Sequence, residues 1–254
     1  MNQIHPTALV SESAQLDGDN KIGPFVVIEE DVILGKSNCL GAHSLIKKGV
    51  RIGDGNIIHE HGLIGVISYD CLREKMVSVS IGSHNVLREG VWIEGGSGSG
   101  VETFIGDHNY LMAYAQVGRN CRLADNIVIA NNVVLAEQVQ VESQVFISGG
   151  VVVGEHNYLG RLAMLGGNSK ITKNVLPFCI TDGVPARVRG LNLVGLRRAD
   201  FKSLERQQLK QAYRVLLRSE LPLPEATERL GRIQSPHVRY LSEFIKSCKG
   251  EFHC

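Results

Sequence analysis

Arg119, Glu137 and Glu155 stand eighteen residues apart, and Asn120, Gln138 and His156 each follow one of them. These side chains differ sharply in what they do with a proton. An imidazole is the usual general base near neutral pH, and a carboxylate is a weaker substitute. A guanidinium stays protonated at any working pH and accepts nothing. Three readings follow. The set is a solvated ion-pair ladder, or a polar site that binds a charged ligand, or a catalytic site in which Glu137, Glu155 or His156 is the base. Arg187, Arg189, Arg197 and Arg198 form a second cluster, suited either to phosphate oxygens or to a solvated, salt-bridged junction.

An interval of eighteen matters because a shorter period underlies it. Aliphatic residues recur every six positions from Ile4, Val10 and Leu16 to Ile64. They resume at Ile81, Leu87 and Ile93, then run from Ile105 to Ile171. Six fits neither an α-helix nor a hairpin sheet. It fits a parallel β-helix with three flat sides of six residues, one aliphatic per side pointing inward. One coil is then eighteen residues, and about 26 hexads make roughly nine coils. Adjacent coils lie ~4.8 Å apart. Arg119 is therefore within reach of Glu137, with Glu155 further along the same column and His156 in the adjacent one with Asn120 and Gln138. The hexad Val153–Tyr158 nearly repeats Ile105–Tyr110, but 48 residues is two and two-thirds coils, so the two face different sides. His156 thus also reads as part of a recurring surface hexad. His43, His59, His61 and His84 fit surface positions, without HxH or HExxH context, so no metal site is expected.

Two breaks interrupt the pattern. The seventeen residues from Ile64 to Ile81 exceed one hexad by eleven, which must loop out around Tyr69–Lys75, a stretch that includes Asp70. The twelve from Ile93 to Ile105 keep the period, yet Gly95-Gly96-Ser97-Gly98-Ser99-Gly100 has a linker's composition. Loops leaving a rigid scaffold are where function concentrates.

The solenoid is expected to fill residues 1–190, and Asp182–Arg187 reads as the turn that leaves it. Residues 191–254 read as a small helical domain. Its first long helix spans about Phe201–Arg218, with Leu204, Leu209, Ala212, Val215 and Leu216 on one face. Shorter helices follow at about Pro224–Ile233 and Pro236–Lys246.

Composition limits the alternatives. With 27 Lys and Arg against 26 Asp and Glu, the chain is nearly neutral, unlike a general nucleic-acid binder or a membrane-surface protein. No apolar run reaches the ~18 residues of a membrane span, and the start lacks a signal peptide's pattern. Six cysteines without a CxxC pair suit a reduced, cytoplasmic protein with no cysteine metal site.

The whole chain resembles the UDP-N-acetylglucosamine O-acyltransferases that start lipid A synthesis. The likeness rests on Gly183-Val184-Pro185-Ala186-Arg187-Val188-Arg189-Gly190-Leu191-Asn192-Leu193-Val194-Gly195-Leu196-Arg197-Arg198, on Ile129-Ala130-Asn131-Asn132 and on Ala212-Tyr213-Arg214. The resemblance implies a homotrimer of left-handed β-helices. It implies transfer of a 3-hydroxyacyl chain from acyl carrier protein to a UDP-sugar, with no metal and no cofactor beyond the carrier's phosphopantetheine thioester. Asp70 matches the family's sugar-contacting loop, and Asn192 and Arg198 match its acyl-donor side. The family's catalytic stretch carries two histidines, three residues apart, before a cysteine. In Ala115-Gln116-Val117-Gly118-Arg119-Asn120-Cys121 those places hold Gln116 and Arg119. Gln138 and Gly154 stand where two further family histidines occur. The resemblance thus implies a divergent acyltransferase binding a UDP-amino sugar through Asp70, Gln116, Arg119, Gln138, Asn192 and Arg198. The alternative is a non-catalytic paralogue that keeps the trimer and a ligand cleft.

Overall fold

A computed structural model describes residues 1–67, 78–96, 101–219, 221–248 and 251–253. The six-residue period becomes a parallel β-solenoid of two- to four-residue strands. Among the described residues they stack into three sheets of nine, nine and eight strands, here sheets I, II and III, and a terminal hairpin brings sheet I to eleven. Strands this short stand because each is one side of a closed coil. Its backbone bonds run to the coils above and below, as in the chain Gln116, Val134, Val152 and Lys170 on sheet II. The hexad aliphatics Ile28, Leu34, Ile46, Ile58, Leu111, Ile129 and Ile147 are buried. So are the residues four positions on, among them Val26, Val32 and Ser44. Ile4, on the open edge of sheet I, is 46% exposed.

The corner between sheets III and I carries a ladder of buried asparagines. Oδ1 of Asn20, Asn38, Asn56 and Asn85 each accepts the backbone N–H of the next rung at 2.8–2.9 Å, and Asn109 does the same for Ile127. Corner residues adopt a left-handed backbone. Asn120, Gln138 and His156 have φ of 60°, 57° and 60°.

Both breaks show in the register of the described strands. Pairing of Val50 with Val79 and of Leu63 with Trp92 spans 29 residues, eleven more than a coil. Pairing of Ile81 with Ile105 spans 24, six more. The second break is therefore a true insertion, as its Gly/Ser composition suggested. Asp70 lies outside the described residues.

The exit differs from a simple turn. Cys179–Gly183 and Ala186–Leu191 form an antiparallel hairpin that extends sheet I. Among the described residues four helices follow: α1 (Leu193–Arg198), α2 (Ser203–Arg218), α3 (Leu223–Leu230) and α4 (Pro236–Ser247). Leu209, Ala212 and Leu216 of α2 join a second apolar core with Phe178, Leu196, Val238 and Phe244. Leu204, expected on that face, is 64% exposed in the first turn. The short α1 escaped sequence reading because six residues carry too little periodicity. Among the described residues, no helix is long and apolar enough to cross a membrane.

Candidate functional site

The corner between sheets II and III carries the expected column. Arg119 Nε donates to a carboxylate oxygen of Glu137, one coil along. The two side chains are only 20% and 27% exposed. Backbone bonds tie the rungs together: Gln138 N–H donates to Arg119 O (2.9 Å) and His156 N–H to Glu137 O (3.1 Å). Donor atoms of Glu137, Glu155 and His156 lie within 4.8 Å of one another. These are the residues that could hold a cation at this corner. His59, Glu60 and Glu89 form a similar set on another corner, where Arg88 already pairs with Glu89 at 2.9 Å.

One member was not foreseen. Glu94 accepts the Arg119 backbone N–H through Oε2 at 3.2 Å. It stands at the base of both insertions, opposite Val66 in the sheet II ladder. Next to it, Gly95 N–H donates to Val66 O, and Gly96 and Ser78 exchange backbone bonds. The insertions thus leave the solenoid beside Arg119. Glu94 was hidden because its place depends on the six extruded residues. With them removed from the count, it falls one coil below Gly118.

Gln116 and Gln138 are exposed and flank the column. Cys121 is buried behind it and donates to Ala136 O at 3.0 Å. Burial pushes its thiol up to about 12, so it is no nucleophile. Asn192 and Arg198 lie elsewhere in the chain, beyond the last coils. Asn192 caps α1 by accepting the Gly195 N–H, and its Nδ2 donates to Leu162 O, both at 2.9 Å. Leu162 belongs to the III/I corner. Arg198 is exposed at the end of α1.

Residues 102–137 match the family model for bacterial transferase hexapeptide repeats, and 174–251 match that for domain 2 of UDP-N-acetylglucosamine O-acyltransferase. An acyl-[acyl-carrier-protein]–UDP-N-acetylglucosamine O-acyltransferase of Thermodesulfovibrio yellowstonii is 36% identical over 253 residues, 98% of each chain. The chain belongs to the UDP-N-acetylglucosamine O-acyltransferase family. A member from Gloeothece citriformis is 40% identical over 168 residues, where the match spans 66% of this chain and 61% of the relative's length. Among solved members, that of Bacteroides fragilis superposes with a TM-score of 0.96 at 28% identity, covering 99% of this chain and 100% of its own. That of Francisella novicida gives 0.95 at 29%, covering 99% and 94%. The family's fold therefore runs through the whole chain, and the Arg119 corner is built on it.

Proposed function

We propose that the chain binds a UDP-amino sugar and an acyl chain carried on acyl carrier protein, and transfers the acyl group to the sugar's amine. One observation carries this: Arg119, which the resemblance puts where the family has its general-base histidine, is engaged by Glu137. A hydroxyl needs a base to become a nucleophile, and general-base help is worth ~10²–10⁴-fold. A neutral amine is nucleophilic without it.

The step balances simply. The amine nitrogen bonds to the thioester carbonyl carbon, the C–S bond breaks, and the thiol leaves on the phosphopantetheine. His156 or Glu155 takes the proton lost by nitrogen, and the departing sulfur receives one.

Charge distribution supports the carrier. Residues 174–254 hold fourteen Lys and Arg against eight Asp and Glu, while residues 1–173 hold thirteen against eighteen. Near-neutrality overall hides a basic cap on an acidic solenoid. Such a cap suits a phosphopantetheine phosphate and an acidic protein bearing it. A homotrimer is supported by the outward faces. Sheet I presents Ile57, Val86, Val128 and Phe146, and sheet II presents Leu45, Leu63, Trp92, Val134 and Val152. Sheet III presents mainly Gln15, Arg51, Ser80, Arg122 and Gln140.

The engaged state of Arg119 also favours the second reading, a non-catalytic paralogue. Acyl carrier protein thioesters and two UDP-sugars, differing only in a 3-hydroxyl or a 3-amine, separate the two. Acylated amine at least ~100-fold above acylated hydroxyl is the expected result. Equal or hydroxyl-preferring rates overturn the amine reading. Tight binding of both ligands with no product establishes the paralogue.

A further inference from the structure

The II/III corner does not end at Glu155. One coil further along are Thr172 and Lys173, and there the chain's last residues return. Asn174 N–H donates to Glu251 O at 2.9 Å, and His253 N–H donates to Asn174 O at 3.0 Å. Phe252 is buried and packs its ring 6.1 Å from Phe244 of α4. Lys173 Nζ pairs with Glu251 at 2.5 Å. The His253 ring is buried, and its Nε2 accepts the N–H groups of both Thr172 (3.2 Å) and Lys173 (3.1 Å).

We propose that Glu251–His253 is a pH-controlled latch across the end of the corner that carries Arg119 and Glu137. A neutral His253 holds it closed, and a protonated His253 opens it.

Geometry supplies the switch. Nε2 accepts two backbone N–H groups only while it carries no proton. Protonation turns it into a donor facing two donors and takes the acceptor away from both N–H groups. Among the described residues, the charged groups beside the ring are Lys173 on the coil and Glu251 on the tail, which pair with each other, and the hairpin contributes the Ala186 backbone. Burial, with Lys173 adding to it, holds the imidazole pKa below its ordinary 6.5, against the bond to Ala186. Opening removes Glu251 from Lys173 and Phe252 from α4. The column of Arg119, Glu137 and Glu155 then ends on a lysine without its tail partner, and the helical cap loses one anchor. The latch needs no assumption about the acceptor sugar.

Hydrogen exchange on the full chain tests this, with each amide compared with its intrinsic rate at the same pH. Protection of the Thr172 and Lys173 amides is expected to fall at least tenfold from pH 7.5 to pH 5.0. The Gly154 amide, bonded to Ile171 O inside the ladder at 2.8 Å, keeps its protection. In H253Q the pH response disappears, whether protection is uniformly high or uniformly low. An NMR titration places the His253 midpoint below 6.5. Flat protection in the unsubstituted chain, a fall that persists in H253Q, or a midpoint at or above 6.5 overturns the latch.

Discussion

The guanidinium of Arg119 is bound by the carboxylate of Glu137 from the next coil, while the Arg119 backbone N–H is held by Glu94 from the coil before. Both side chains of the pair are largely shielded, so this is not a surface ion pair of negligible worth. Removing one partner strands the other charge. A double-mutant cycle of Arg119→Ala and Glu137→Ala, read by urea unfolding, is expected to give a coupling energy of about 1–3 kcal/mol. A value near zero shows a solvated pair.

Restoring one histidine is not expected to restore hydroxyl chemistry. In Arg119→His, Glu137 loses its cation, while Gln116, Gln138 and Gly154 still stand where the resemblance places further histidines. Acylation of the 3-hydroxyl of UDP-N-acetylglucosamine, followed by mass spectrometry, is expected to stay within about tenfold of the unsubstituted chain. A rise of ~10²–10⁴-fold, the full worth of a general base, shows an otherwise intact site.

Asn56 has a purely structural task with a definite cost. Its Oδ1 accepts from Asn85 N and Asn85 Nδ2, and its own Nδ2 donates to Gly82 O (3.0 Å), Asn38 Oδ1 (3.0 Å) and Asp54 O (3.3 Å). Asn56→Leu removes all of these bonds at a fully buried position. Each stranded buried group costs about 1–3 kcal/mol. Denaturant unfolding is expected to show a loss of at least ~2 kcal/mol, with little change for Gln140→Leu on the exposed face of sheet III.

Cysteine reactivity follows burial. The Cys121 and Cys179 thiols are both pushed up to about 12 by desolvation. A raised folded-state pKa keeps these groups neutral, so their contribution to stability is complete below the ordinary value of 9 and is lost as pH rises from about 9 towards 12. Iodoacetamide at pH 8.5 is expected to label neither in the native chain and both in urea, as read by peptide mass spectrometry. Native labelling of Cys121 shows that this corner opens.

The outward faces predict an assembly. Sedimentation at micromolar concentration is expected to give a trimer. Val134→Asp, on the apolar outer face of sheet II, is expected to dissociate it. Arg122→Glu, on polar sheet III, leaves it whole. A monomeric unsubstituted chain removes the trimer from the proposal.

Sequence alone determined the solenoid. A buried residue every six positions has one geometric solution, and eighteen-residue arithmetic then places Arg119 against Glu137 and turns His108 and His156 to different corners. It also showed the first insertion, since seventeen residues exceed one hexad by eleven. Tertiary structure decided what depends on register across an insertion or on contacts remote in sequence. Glu94 reaches Arg119 only because six residues between Ile93 and Ile105 are extruded, and a glycine-rich hexad that keeps the period looks the same in or out of the coil. Asn192 resembles a ligand contact in sequence, yet its amide is taken by Gly195 and Leu162, partners that exist only once the cap has docked. His253 meets Thr172 some eighty residues away, and no local period records a contact between a chain end and a coil edge. Periodic burial is written into the order of residues. Pairing between segments with independent periods is settled by the packing that brings them together.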